Sequence, residues 1–332
     1  MIQRINKYFW SLVNNSLLIF ILSFFFTIST IQVNGAKEQF ETTKPHVNTG
    51  TVDSTTESYK YTIQRNESVF NLTGPKDLGG HRLAISIGGS DPLPIKQVSR
   101  DLFESTRSYS SGNFVFELDG GGSLYPWINL FLAAQSTSKT VKIYLLTKKN
   151  KEKEVRKFYD AIITEVKFPT LDRSSRKPGY LTVKVKAQRV RFANAKDVKH
   201  KFGTEQKLWT VANFRVEIGG LPCDHVDKVD AFTINQKVVK DEIPGYLEYP
   251  NLTFTLPTTD LKAWENWFNV KKGIKKTSNE MTGSITWLGP DMKTELSAIN
   301  ISGVRLVSLR KKKGGRFFEA VLSVNKMNLK SF

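Results

Sequence analysis

The sequence holds a single cysteine, Cys223, in 332 residues, so no disulfide can close within the chain. Stability must therefore come from packed cores or from assembly. Histidine is nearly as scarce, and His46, His81, His200 and His225 have no spacing that makes a zinc-type ligand set. Acid is in deficit, with 31 Asp and Glu against 49 Lys and Arg, for a formal net charge of +18. That excess suits an anionic partner such as nucleic acid, anionic lipid or a polyanionic wall, or else a solvated basic surface. No stacking-aromatic groove motif accompanies it, which argues against nucleic acid.

Catalytic and metal-binding constellations are missing too. Cys223-Asp224-His225 is the one place where a nucleophile neighbours a base, but no orienting group can be assigned, and Pro222 suggests a surface turn. Gly120-Gly121-Gly122 has the outline of a phosphate cradle without the Lys-Ser/Thr of a P-loop. Asp224, Asp227 and Asp230 are spaced by three but lack the rest of a calcium-loop pattern. The expectation is a protein that is not an enzyme, with no catalytic, cofactor-binding or metal-binding residues.

What is present begins with a targeting segment. Arg4 and Lys7 precede the apolar stretch Leu17 to Ile28, and Val33-x-Gly35 follows, the layout of a secretory signal peptide over residues 1–35. Asn14 and Asn15 leave less than the ~20 apolar residues of a membrane span, although an uncleaved anchor is the alternative. Residues 36–78 form a polar Thr/Ser/Asn/Glu-rich leader without apolar periodicity. The expected localisation is export across a membrane, as a secreted, periplasmic or lumenal protein.

The body repeats itself. Leu83-Ala-Ile85-Ser-Ile87-Gly-Gly matches Phe214-Arg-Val216-Glu-Ile218-Gly-Gly, and Asn113 to Leu118 matches Asn251 to Leu256. Leu124-x-x-Trp127-Ile-Asn129-Leu-Phe131 matches Leu261-x-x-Trp264-Glu-Asn266-Trp-Phe268, and Ile143 to Leu146 falls on Ile285 to Leu288. Asp160-Ala161-Ile162 is aligned with Ser297-Ala298-Ile299, and Tyr180 to Phe192 with Phe317 to Leu329. Such self-similarity gives two tandem copies, 79–194 and 213–332, joined by a charged linker at 195–212. Alternation at Leu83/Ile85/Ile87 and Leu181/Val183/Val185 marks strands. Leu124, Trp127, Ile128 and Phe131 mark one helix face, with Ser123 placed to cap it and Pro126 in its first turn. The basic clusters Lys148 to Lys157 and Arg310 to Lys313 lie between apolar runs and read as turns.

The second copy resembles the tail-tube protein family of contractile phages and related injection systems. The resemblance rests on Phe214-Arg-Val-Glu-Ile-Gly-Gly, Ile243-Pro-Gly-Tyr, Tyr249-Pro-Asn-Leu-Thr-Phe-Thr-Leu, Leu261-x-x-Trp264 and Met281-Thr-Gly-Ser-Ile-Thr-Trp-Leu. It spans about residues 213 to 330 and reaches the first copy through the repeat. It implies a mainly β (α+β) fold, two tandem tail-tube-like β-barrels each with one flanking helix. It also implies a homo-oligomer, a trimer or hexamer ring stacking into a tube with other injection-system or tail components. The first copy departs from the pattern, carrying Ser105 to Ser111 in place of the Pro-Gly turn. A secreted binding module for a polyanion or cell-wall polymer is the alternative function.

Overall fold

The computed structural model describes residues 72–103, 112–118, 124–135, 137–202, 209–239, 243–273 and 281–332. The proposed signal peptide, nearly all of the polar leader, Ser105 to Ser111, Gly120 to Gly122 and Ser123 lie outside the described residues. Residues 66–332 cluster as one compact unit. The first half runs β1 (Leu72–Thr73), β2 (Arg82–Ile87), β3 (Leu93–Pro94), β4 (Gln97–Ser99) and β5 (Gly112–Leu118), then helix α1 (Tyr125–Leu132). It continues with β6 (Lys139–Leu146), β7 (Glu152–Phe168), β8 (Leu171–Asp172), β9 (Leu181–Ala187) and β10 (Arg189–Ala193). The second half runs β11 (Phe214–Ile218), β12 (Lys228–Val229), β13 (Phe232–Val239), β14 (Ile243–Glu248) and β15 (Leu252–Pro257), then helix α2 (Leu261–Gly273). It closes with β16 (Met281–Leu288), β17 (Glu295–Lys311), β18 (Phe317–Ser323) and β19 (Lys326–Ser331). The fold is mainly β, in two sheets, one of them nearly barrel-shaped.

The halves repeat their pairings as well as their sequence. Leu83 and Ile85 of β2 pair with Leu145 and Ile143 of β6, as Phe214 and Val216 of β11 pair with Trp287 and Ile285 of β16. Strict alternation explains the strands: Leu181, Val183, Val185 and Ala187 are buried while Thr182, Lys184 and Lys186 are not. The basic clusters are turns only in part, because β7 starts at Glu152 and β17 continues to Lys311.

Each half hinges on one strand of 17 residues, about three times the usual length. Such a strand must bend to cover a small core. In β7 the ladder to β6 ends at Ala161 and that to β9 begins at Ile162, just after Asp160 with φ 52°. In β17 the ladder to β16 ends at Val304 and that to β18 begins at Arg305, just after Gly303 with φ 67°. Left-handed backbone suits glycine and is tolerated by Asp, so the same kink is built from two residue types. This corrects one block of the sequence alignment: Asp160-Ala161-Ile162 is equivalent to Gly303-Val304-Arg305, not to Ser297-Ala298-Ile299. The misalignment has a physical source. Twelve residues separate Phe168 from Leu181, but six separate Lys311 from the equivalent Phe318, and the extra residues of the first half carry β8.

The stretch 195–212 does more than connect. The Glu152 carboxylate accepts from the Lys196 N–H at 2.8 Å and meets His200 Nε2 at 2.8 Å, so this strap lies on the start of β7. Trp209 and Val211 are buried in the common core. A Cβ on Gly179 would stand 2.1 Å from the Trp209 ring, which is why glycine occupies that position.

Candidate functional site: the seam between the halves

The places considered for chemistry do not converge. Cys223 is buried, 4% exposed, which overturns its assignment to a surface loop. The neighbouring Pro222 carbonyl accepts from Trp264 Nε1 at 3.2 Å, tying the segment to α2. His225 is solvent-facing, with its ring 3.4 Å from the Asp260 carboxylate, so thiol and imidazole do not form a pair. Asp230 pairs with Lys228 at 2.7 Å, while Asp224 and Asp227 offer main-chain oxygens to Arg173. His81 meets Lys153 Nζ at 2.9 Å and His200 meets Glu152, while His46 lies outside the described residues. Among the described residues no cluster of His, Cys, Asp or Glu is arranged to hold a metal ion. No helix among them is long and apolar enough to cross a membrane.

Burial pushes the Cys223 thiol up to about 12. In the unfolded chain it ionises near pH ~8.5, so above that value unfolding releases a proton and stability falls as pH rises towards the folded value. The loss amounts to up to ~1.4 kcal/mol per pH unit. Below the unfolded pKa this contribution is fully present. Denaturant titrations of wild type and Cys223→Ala from about pH 8 to about pH 11 should therefore show the wild-type advantage shrinking. A difference that stays constant would place the thiol in water.

The organised feature of the molecule is the seam where the halves meet, and three connections build it. First, β13 of the second half pairs with the end of β7: Phe232 with Phe168, Ile234 with Val166, Asn235 with Glu165. The sheet thus runs without a break from β5 through β9 and β7 to β13 and β14. Second, β8 of the first half pairs with β12, Leu171 opposite Val229 and Asp172 opposite Lys228. Arg173 secures this crossing by donating Nε to the Val226 carbonyl at 2.6 Å and Nη2 to the Asp224 carbonyl at 3.1 Å.

Third, α1 is fastened to β19 by an amide clamp. Asn129 donates Nδ2 to the Leu329 carbonyl at 2.6 Å, and its Oδ1 accepts the Leu329 N–H at 2.9 Å. A carboxamide presents the same donor and acceptor as a peptide unit, so it satisfies both outward groups of one edge residue. Tyr249 adds a hydroxyl bond to the Leu132 carbonyl at 2.8 Å. Behind these bonds, Phe168 stacks on Phe232 at 4.8 Å and lies 6.0 Å from Trp287, which also meets Trp209 at 5.0 Å. One hydrophobic core runs through both halves.

Among the described residues, the outer ends lack these connections. Along Arg305–Lys311 the edge of β17 that corresponds to the β13-covered edge of β7 has no strand partner among the described residues, and Val307 is 48% exposed. The short turn after Lys311 supplies no counterpart of β8. On the first half, the position equivalent to β8 is already taken: β1 pairs with β4, Thr73 opposite Val98, as Leu171 lies opposite Val229. Val98 and Val229 are equivalent, since each faces the matching Phe116 or Phe254 on its other side.

Sequence reasoning located the helices and their Trp residues but not this seam. Asn129 stood in a matched block, yet nothing local in the sequence says which backbone it would hold. No protein-family model matches the chain, and no curated protein matches it either.

Proposed function

We propose that this protein is an exported structural subunit, two tandem tail-tube-like β-barrels that self-assemble through their edges into a ring or tube. The observation that carries the reading is the unbroken sheet across the seam, together with the Arg305–Lys311 edge, which has no strand partner among the described residues, at the position where the seam would repeat. Unpaired strand edges are templates for another chain. A head-to-tail contact that repeats either closes a ring or continues as a filament. Lateral continuity from β7 to β13 favours halves that alternate around one ring, so that three chains supply six barrels. Stacking of the two halves along an axis would instead require six chains.

Native mass measurement with negative-stain microscopy tests this on the full chain and on its exported form. Rings of three chains are the expected result. Six chains would replace the arrangement, and a protein that stays monomeric at high concentration and low salt would overturn the assembly reading. That last outcome would promote a binding module for a polyanion. The feature favouring such a module is the basic group Arg310, Lys311, Lys312, Lys313 and Arg316 at the turn end of the β17–β18 hairpin, balanced there by Glu319.

A further inference from the structure

We infer that Asn266 is an intermolecular clamp that holds the backbone of Phe192 in a second copy of this chain. This rests on the assembly reading above and names the residues of its joint.

The template is the cis clamp of Asn129 on Leu329. Both members have a counterpart. Asn266 occupies on α2 the position of Asn129 on α1, two residues after the paired tryptophans Trp264 and Trp127 and two before the paired phenylalanines Phe268 and Phe131. Phe192 occupies on β10 the position of Leu329 on β19: Phe192 lies opposite Arg156 of β7 as Leu329 lies opposite Ile299 of β17. Those opposing residues are themselves equivalent, because Ile143 faces Arg156 and the matching Ile285 faces Ile299. At Leu329 the peptide N–H and C=O both point away from β17 towards the clamp, the geometry of a non-hydrogen-bonded antiparallel pair. The same register turns the N–H and C=O of Phe192 outward from the sheet.

The two counterparts cannot meet within one chain if the cis seam is the rule for docking, because each half already holds its own side of that seam. Asn266 is exposed, and no hydrogen bond to its side chain is formed among the described residues, whereas Asn129 is partly buried and doubly bonded. The neighbouring positions have changed together. Ile128, fully buried on α1, is matched by exposed Glu265 on α2. Asn328, beside Leu329, is matched by exposed Arg191 beside Phe192, and Arg191 lies opposite Lys157 with no acid on it among the described residues. In the proposed joint, exposed Glu265 beside Asn266 and exposed Arg191 beside Phe192 bring an acid and a base to the same seam, a complementarity that sets register and orientation between separate molecules.

The test is sedimentation of the full chain at several concentrations and salt levels. Asn266→Ala should raise the dissociation constant of self-association about tenfold while leaving the melting temperature of the dilute protein unchanged. Asn129→Ala should lower the melting temperature instead, since its clamp lies inside the fold. Glu265→Arg and Arg191→Glu should each weaken association, and the double reversal should restore it. If wild type associates but Asn266→Ala and both charge reversals do so equally well, the clamp is wrong and the assembly reading stands. If wild type never associates, both fall.

Discussion

Phe168→Ala is expected to cost about 3–5 kcal/mol, the usual range for removing a buried Phe, and to weaken both halves at once. Phe168 is fully buried at the last position of β7. It stacks on Phe232 of the strand that crosses from the second half and lies against Trp287 of that half's own sheet. Truncation opens a cavity at the point where the sheets are joined. A loss of that size is a large part of the ~5–15 kcal/mol that holds a typical domain together. Denaturant unfolding followed by tryptophan fluorescence and by circular dichroism should give coincident transitions shifted to lower denaturant. A loss below about 1 kcal/mol would mean that the halves do not depend on this contact.

Trp264→Ala should be equally severe, again about 3–5 kcal/mol. Trp264 is fully buried, meets Trp267 and Phe318 edge-on with ring centroids 6.2 Å apart in each case, and donates its ring N–H to the Pro222 carbonyl. The substitution removes the anchor of α2 and leaves that carbonyl without its donor. Seen as one of two separate copies, the second half would melt alone. The shared core and the β7–β13 and β8–β12 ladders predict one cooperative transition for the whole of 72–332. Two resolved transitions in calorimetry of the variant would show that the seam transmits little.

Local patterns in the sequence were sufficient for much of this. Leu83/Ile85/Ile87 and Leu181/Val183/Val185 announce half-buried strands because side chains alternate across a sheet. Trp127 and Trp264, placed by the repeat in equivalent helices, are both buried. What stayed hidden is non-local. Two-residue strands such as β8 and β12 carry no periodicity, and β8 lies in a loop whose extra length looks like an ordinary insertion. The long-strand kink was obscured for a related reason, since Asp160 and Gly303 share a backbone conformation rather than a side chain. Cys223 was misplaced because Pro222 marks a turn without telling whether a helix covers it.

The strand β1 has a consequence for how assembled chains would behave over time. It gives the first half, from the chain's own leader, the neighbour on β4 that the second half receives on β12 across the seam. In the assembly proposed above, a joint between molecules would lack the β8–β12 type of crossing, while the joint within a molecule contains two crossings and a covalent tether. Assemblies made through these surfaces would have joints of two grades, one permanent and one separable. Subunits of such an assembly would leave and be replaced as whole chains, each departing with its paired halves still folded together.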